Sequence, residues 1–198
     1  MILLVAAMQE EISEIQKESL PDTLVLLTGV GKVNAAMKLS EMILKHTIKS
    51  IVNVGFAGAS GIYEIGDVVL VNQVTYHDFD LSLFGYQKGQ VPGYPAHFTS
   101  DKALYESIKS SNPHIKEGSL LTGDYFVSKQ SNQSILYDME GAALYQVAHH
   151  FNIPIVSIKV VSDKVDMKHH IENYKQFEAQ KGAKYLKQVV ENVIGGSL

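Results

Sequence analysis

The run Ile155-Val156-Ser157-Ile158-Lys159-Val160-Val161-Ser162-Asp163 is apolar and β-branched until it stops on a carboxylate. It reads as a buried strand over 155–161, with Asp163 just past its end. Two other phrases repeat the pattern: Ala7-Met8-Gln9-Glu10-Glu11, after an apolar opening, and Tyr137-Asp138-Met139-Glu140-Gly141. Each sets an acid where a strand would give way to a loop or helix. Scattered acids normally make a solvated surface. Three at strand ends, drawn from distant parts of one small domain, suit acid–base chemistry on a bound small molecule.

Outward from these phrases, short apolar runs alternate with segments of helical period, the pattern of an α/β domain. Strands are expected at 2–7, 24–27, 50–54, 67–74, 118–121, 135–139 and 155–161. Helices are expected at 32–46, 102–110, 141–150 and 174–193, the last with Phe177, Tyr185, Leu186, Val189, Val190 and Val193 as a stripe for the sheet. Asn152 and Pro154 break the chain between the third helix and the next strand. Gly195-Gly196 predicts a frayed end. The expectation is one domain over 1–198, with a mixed, mostly parallel central sheet flanked by helices.

Composition narrows the function. At 198 residues, 45% hydrophobic and 19% charged with net charge −4, the profile is that of an ordinary soluble globular protein. Nucleic-acid binding normally needs a basic face, and none is supplied. There is no Cys, which excludes disulfides and thiolate chemistry. The opening Ile2-Leu3-Leu4-Val5-Ala6-Ala7 has no basic flank and reads as a strand, not a signal peptide. No apolar run approaches the ~18 residues of a membrane span, so a cytoplasmic protein is expected. All 17 basic residues are Lys. Without Arg there is no planar fork for two-point grip on phosphate.

Further phrases stand in order between the acids: Thr28-Gly29-Val30-Gly31-Lys32-Val33, Asn53-Val54-Gly55-Phe56-Ala57-Gly58, Tyr76-His77-Asp78-Phe79-Asp80 and Thr122-Gly123-Asp124-Tyr125-Phe126-Val127. Together with Asp138-Met139-Glu140-Gly141-Ala142-Ala143 and Val161-Ser162-Asp163, they resemble the purine nucleosidase/phosphorylase superfamily along nearly the whole chain. The match is to its 5'-methylthioadenosine/S-adenosylhomocysteine nucleosidases. The resemblance implies a nucleoside phosphorylase-like fold and hydrolysis of a purine nucleoside at its N-glycosidic bond, with no metal or organic cofactor. Relative to the family the chain is trimmed at 12–27, where a β-hairpin is usual, and at 128–134, where a helical stretch is usual.

Under that resemblance Asp163 is the acid that protonates the leaving purine, a task requiring burial to raise its pKa. Ser162 beside it would cap a following helix. Glu11 is the base for the attacking water, and Glu140 clamps the ribose hydroxyls above an apolar face from Met139. Phe126 stacks on the base while Val127 reads its edge. Met8, Phe56, Ala57, Gly58, Asp138, Lys159 and Ser162 complete the substrate site, with Gly55, Ala57 and Gly58 forming a small-residue turn that admits a ligand closely. Gly29-Val30-Gly31-Lys32 opens a helix and could cradle an anion.

Leu81, Phe84, Tyr86 and Pro92 lie on an apolar loop that, in the family, walls the partner subunit's pocket, so a homodimer is expected. The pairs His149-His150 and His169-His170 carry no acid-rich ligand pattern, and no metal is expected. Three residues depart from the family's habit. Phe56 replaces a small hydroxyl residue, Lys159 an Arg, and Asp138 a Glu. Phe56 is expected to reshape the pocket. The rivals are a futalosine-type nucleosidase, a phosphorylase using Lys32 and Lys159, and a nucleoside-binding protein without catalysis.

Overall fold

The computed structural model of the chain describes residues 1–15, 20, 22–128, 131–165, 170–178 and 182–194. Among them, β1 (Ile2–Ala6), β2 (Thr23–Leu27), β3 (Ser50–Ala59), β4 (Val68–Tyr76), β5 (Phe98–Thr99), β6 (Lys116–Thr122), β7 (Ile135–Asp138) and β8 (Ile155–Lys164) form one sheet. The helices are α1 (Gln9–Ile12), α2 (Lys32–Lys45), α3 (Lys102–Ser111), α4 (Gly141–Phe151), α5 (His170–Phe177) and α6 (Ala183–Ile194). The last two carry the ends of the helix expected over 174–193, whose residues 179–181 lie outside the described residues, as do His169 and Gly195-Gly196.

The sheet is mixed and partly antiparallel. β2, β1, β3 and β8 run parallel, as do β4 with β6 and β6 with β7. β3–β7, β4–β5 and β4–β8 are antiparallel. Pairings among β3, β7, β6, β4 and β8 return on themselves, closing that part of the sheet into a ring. Strand direction leaves no mark on a run buried on both faces, so apolar pattern alone does not reveal the antiparallel pairs.

Side chains alternate between two cores, as a pleated strand requires. Leu3, Val5, Ile51 and Ala57 join Ala35 and Leu39 of α2 and Ala142 to Ala148 of α4 in one cluster. Leu4, Ala6, Val52, Val54 and Phe56 join Ile12, Ile108, Phe177, Leu186 and Val190 in the other. Leu3 and Leu4 are fully buried, each contributing about 1.5–3 kcal/mol by leaving water.

β3 and β8 run furthest past their expected ends. β3 continues through Gly55, Phe56, Ala57 and Gly58, so those residues form strand and not a turn. β8 continues through Ser162 and Asp163. Ser162 is therefore no helix cap. The β3–β8 register jumps from Ala57↔Val161 to Gly58↔Asp163, which makes Ser162 the extra residue of a bulge.

Candidate active site

A cleft opens where β1, β3, β7 and β8 end. It is lined by Ala7, Met8, Glu11, Val30, Phe56, Ala57, Gly58, Tyr125, Phe126, Val127, Tyr137, Asp138, Met139, Glu140, Ser162, Asp163, Val165 and Tyr174. Every residue expected at the substrate is here except Lys159.

Glu11 occupies the third position of α1, turned back over the end of β1. Its Oε2 accepts from the amides of Ala7 (2.8 Å) and Met8 (2.9 Å), and its Oε1 from the amide of Phe56 (2.8 Å). The carboxylate reaches β3 only because residue 55 is glycine. A Cβ there would stand 2.6 Å from Oε1. Burial raises the Glu11 pKa against the opposing pull of Lys159 and the three amides.

Asp163 is 1% exposed. The Ser162 hydroxyl donates to Asp163 Oδ1 (2.8 Å) and lies 3.2 Å from the Ala57 carbonyl oxygen, fixing the carboxylate to the bulge. Gly58 lets it lie against β3, since a Cβ there would meet Oδ2 at 3.2 Å.

Glu140 caps α4 and reaches across the cleft, where its Oε1 accepts from the Gly31 amide at the head of α2 (2.8 Å). Burial and the neighbouring Asp138 push its carboxyl up to about 7, against the Gly31 amide and Lys159. Asp138 is engaged on both oxygens: Oδ1 by the Thr122 hydroxyl (2.6 Å), and Oδ2 by the Gly141 amide (3.0 Å) and the Lys159 ammonium (3.0 Å). It borders the cleft while its hydrogen bonds hold the β7–α4 turn.

Lys159 is 3% exposed and stands behind the cleft. Burial opposes its charge, but Asp138, Glu11 and Glu140 together outweigh burial and raise its pKa. One cation thus serves three buried acids.

The Phe56 ring turns away into the second core, edge-on to Phe177 at 5.5 Å. The residue still borders the cleft. Gly182 makes room, because any Cβ there would collide with the ring. Phe126 is 45% exposed, its ring edge-on to Tyr174 at 6.0 Å. Tyr174 also places its hydroxyl 3.8 Å from Met8 Sδ and donates to Glu178 (3.0 Å). Tyr174 and Val165 come from beyond the Asp163 phrase, and sequence reasoning missed both. Tyr125 and Tyr137 were flagged only by standing beside Phe126 and Asp138.

Leu81, Phe84, Tyr86 and Pro92 do not border this cleft. Phe84 is 77% exposed, Leu83 97%, and on α2 Val33 is 75% exposed. Among the described residues, no group of three or more His, Asp or Glu could hold a metal ion, and no helix is long and apolar enough to cross a membrane.

The profile of the phosphorylase superfamily matches residues 2–195. A 5'-methylthioadenosine/S-adenosylhomocysteine nucleosidase of Staphylococcus haemolyticus is 31% identical, over 98% of this chain and 99% of that protein. The solved structure of an S-adenosylhomocysteine nucleosidase of Streptococcus pyogenes, in complex with 5-methylthiotubericidin, has a TM-score of 0.91 at 27% identity, covering 100% of this chain and 97% of that one. A futalosine hydrolase of Helicobacter pylori shares the fold, with a TM-score of 0.88 at 23% identity over 98% of this chain and 97% of that one. The chain belongs to the phosphorylase superfamily and, within it, to the 5'-methylthioadenosine/S-adenosylhomocysteine nucleosidase family.

Proposed function

We propose that this protein hydrolyses the N-glycosidic bond of a purine nucleoside, with 5'-modified adenosines such as 5'-methylthioadenosine and S-adenosylhomocysteine preferred, releasing adenine. The observation that carries this reading is the convergence of Glu11, Glu140 and Asp163 on one cleft. The Staphylococcus relative, named for that activity, supports the substrate class.

Glu11 is the base. A carboxylate offers about four acceptor sites, and amides fill three of them. The remaining one, on Oε1, suits a water molecule held for attack on C1'. Asp163 supplies the proton to the departing purine, held in place for that step by the Ser162 hydroxyl on its Oδ1. Glu140 accepts from the ribose hydroxyls and favours positive charge on the sugar as the bond breaks. Met139 lies under the sugar, Phe126 stacks on the base, Val127 meets its edge, and Met8 with Phe56 to Gly58 completes the wall.

Water, not phosphate, is the nucleophile. The amides at the head of α2 already donate to the protein's own carboxylates: Gly31 to Glu140 and Lys32 to Asp124. The Lys32 ammonium is engaged by Asp78 and that of Lys159 by Asp138. Neither cation is available as a bare phosphate site, and there is no Arg.

The protein acts as a cytoplasmic homodimer, in which the exposed Phe84, Tyr86 and Pro92, with the half-buried Leu81, complete the 5' pocket of a second copy. Sedimentation of a monomer at assay concentrations would contradict that part. The activity is tested by chromatographic detection of free base across a nucleoside panel that includes futalosine. Adenine release fastest from 5'-methylthioadenosine is expected. Preference for futalosine, or binding without release, would overturn it.

A further inference from the structure

The loop after β6 carries Tyr125, Phe126 and Val127 to the cleft, and Asp124 anchors it. The Asp124 amide donates to Asp78 Oδ2 (2.8 Å), and Asp124 Oδ1 accepts from the Lys32 amide (2.9 Å). The Lys32 ammonium donates to Asp78 Oδ2 (2.5 Å), stands 3.6 Å from Asp124 Oδ2, and lies 5.5 Å over the Tyr76 ring. One cation thereby joins three segments: the head of α2, the exit of β4 and the cleft loop. Burial works against ionisation of Asp78, but the Lys32 ammonium and the Asp124 amide outweigh it and lower its pKa. Next door, His77 Nδ1 is 3.1 Å from the Tyr125 hydroxyl, with the two rings edge-on at 4.7 Å.

An isolated surface ion pair contributes little to stability. This one differs in what it holds. Its two amide–carboxylate bonds are charge-assisted and fix backbone position, two residues before the ring assigned to the base. The groups assigned to chemistry stand elsewhere, Glu11 on α1 and Asp163 on β8.

We propose that Lys32 is a positioning residue for the substrate base: through Asp78 and Asp124 its ammonium fixes the loop that presents Phe126 and Val127 to the cleft. The inference rests on the nucleosidase reading above and deepens it. Lys32 determines how tightly the base end is held and leaves bond cleavage to the buried acids.

The test compares the full-length protein with Lys32→Met and Lys32→Arg. For each, kcat and KM are measured with 5'-methylthioadenosine, together with the inhibition constant of free adenine, which reports the base end alone. In Lys32→Met, KM and the adenine constant should rise together by ~10-fold while kcat stays within ~3-fold, the mark of lost uniform binding. Lys32→Arg, which keeps the charge, should recover most of the loss. Unchanged KM and adenine constant in Lys32→Met, with only a lower melting temperature, would overturn the proposal. So would a fall in kcat alone.

If Lys32→Met does not fold, raising salt on the wild-type protein decides. Screening of this partly exposed triad should weaken adenine binding and raise KM at constant kcat, and salt-independent values would overturn the proposal. A wild-type protein that neither binds adenine nor releases it removes the nucleosidase reading itself, an outcome distinct from failure of the Lys32 variants.

Discussion

Glu11, Asp138, Glu140 and Asp163 are each less than a tenth exposed and stand in a strand, in the first turn after one or at a helix cap, whereas Phe126 is 45% exposed on a loop pinned by a surface triad. The floor of the cleft is held by strand register, a bulge and amide–carboxylate bonds. The rim is held by side chains that meet solvent. A site arranged this way separates its tasks: groups that move protons need fixed geometry and low dielectric, while groups that grip a base tolerate motion. Substitutions in the floor should therefore act on kcat, and those in the rim on KM.

The largest effects belong to the floor. Glu11→Gln and Asp163→Asn should each lower kcat by ~100-fold or more with the fold retained, as roles in proton transfer imply. Steady-state kinetics beside a melting curve measures both, and near-wild-type turnover would remove that residue from the mechanism. Gly55→Ala should come close to Glu11→Gln without replacing a titrating group, because its Cβ would displace Oε1. A Gly55→Ala protein of normal kcat would mean that the position of Glu11 is not critical.

Glu140 gives a prediction in pH. Its folded pKa, about 7, lies above the ordinary carboxylate value of 4.5, so the folded state binds more protons than the unfolded one between those values. Its contribution to stability therefore declines as pH rises from about 4.5 towards 7. Glu140→Gln should flatten that part of the stability–pH curve, and an unchanged slope would contradict the assignment. The same variant should lose less activity on a 2'-deoxy substrate than on a ribonucleoside if the carboxylate meets the 2' hydroxyl. In the rim, Phe126→Leu should raise KM by ~10-fold with a small change in kcat, consistent with ~1–3 kcal/mol for base stacking. A larger effect on kcat than on KM would erase the distinction between floor and rim.

The floor was legible in the sequence because its acids follow apolar runs, and burial of those runs carries the acids inward. What escaped was length. Gly55, Ala57 and Gly58 read as a turn because small residues usually mark one. Here the two glycines are strand residues that let Glu11, Lys159 and Asp163 lie against β3. Ser162 read as a helix cap because Ser-Asp after a strand is a common cap, yet the strand carries on and the hydroxyl serves Asp163. Phe56 looked like an intrusion into the pocket, and only packing against Phe177 and Gly182 reveals where the ring goes. Tyr174 arrives from a distant helix, a contact no local pattern encodes. Lys159 and Asp138, each a departure when read alone, prove to be partners.

The most direct test of the account is the fate of the sugar, followed by chromatography with 5'-methylthioadenosine in the presence and absence of added phosphate. Glu11 beside the attack path, and the two engaged lysines, predict free base plus free sugar at a rate independent of phosphate. A sugar 1-phosphate, formed at a rate that saturates with phosphate, would contradict it.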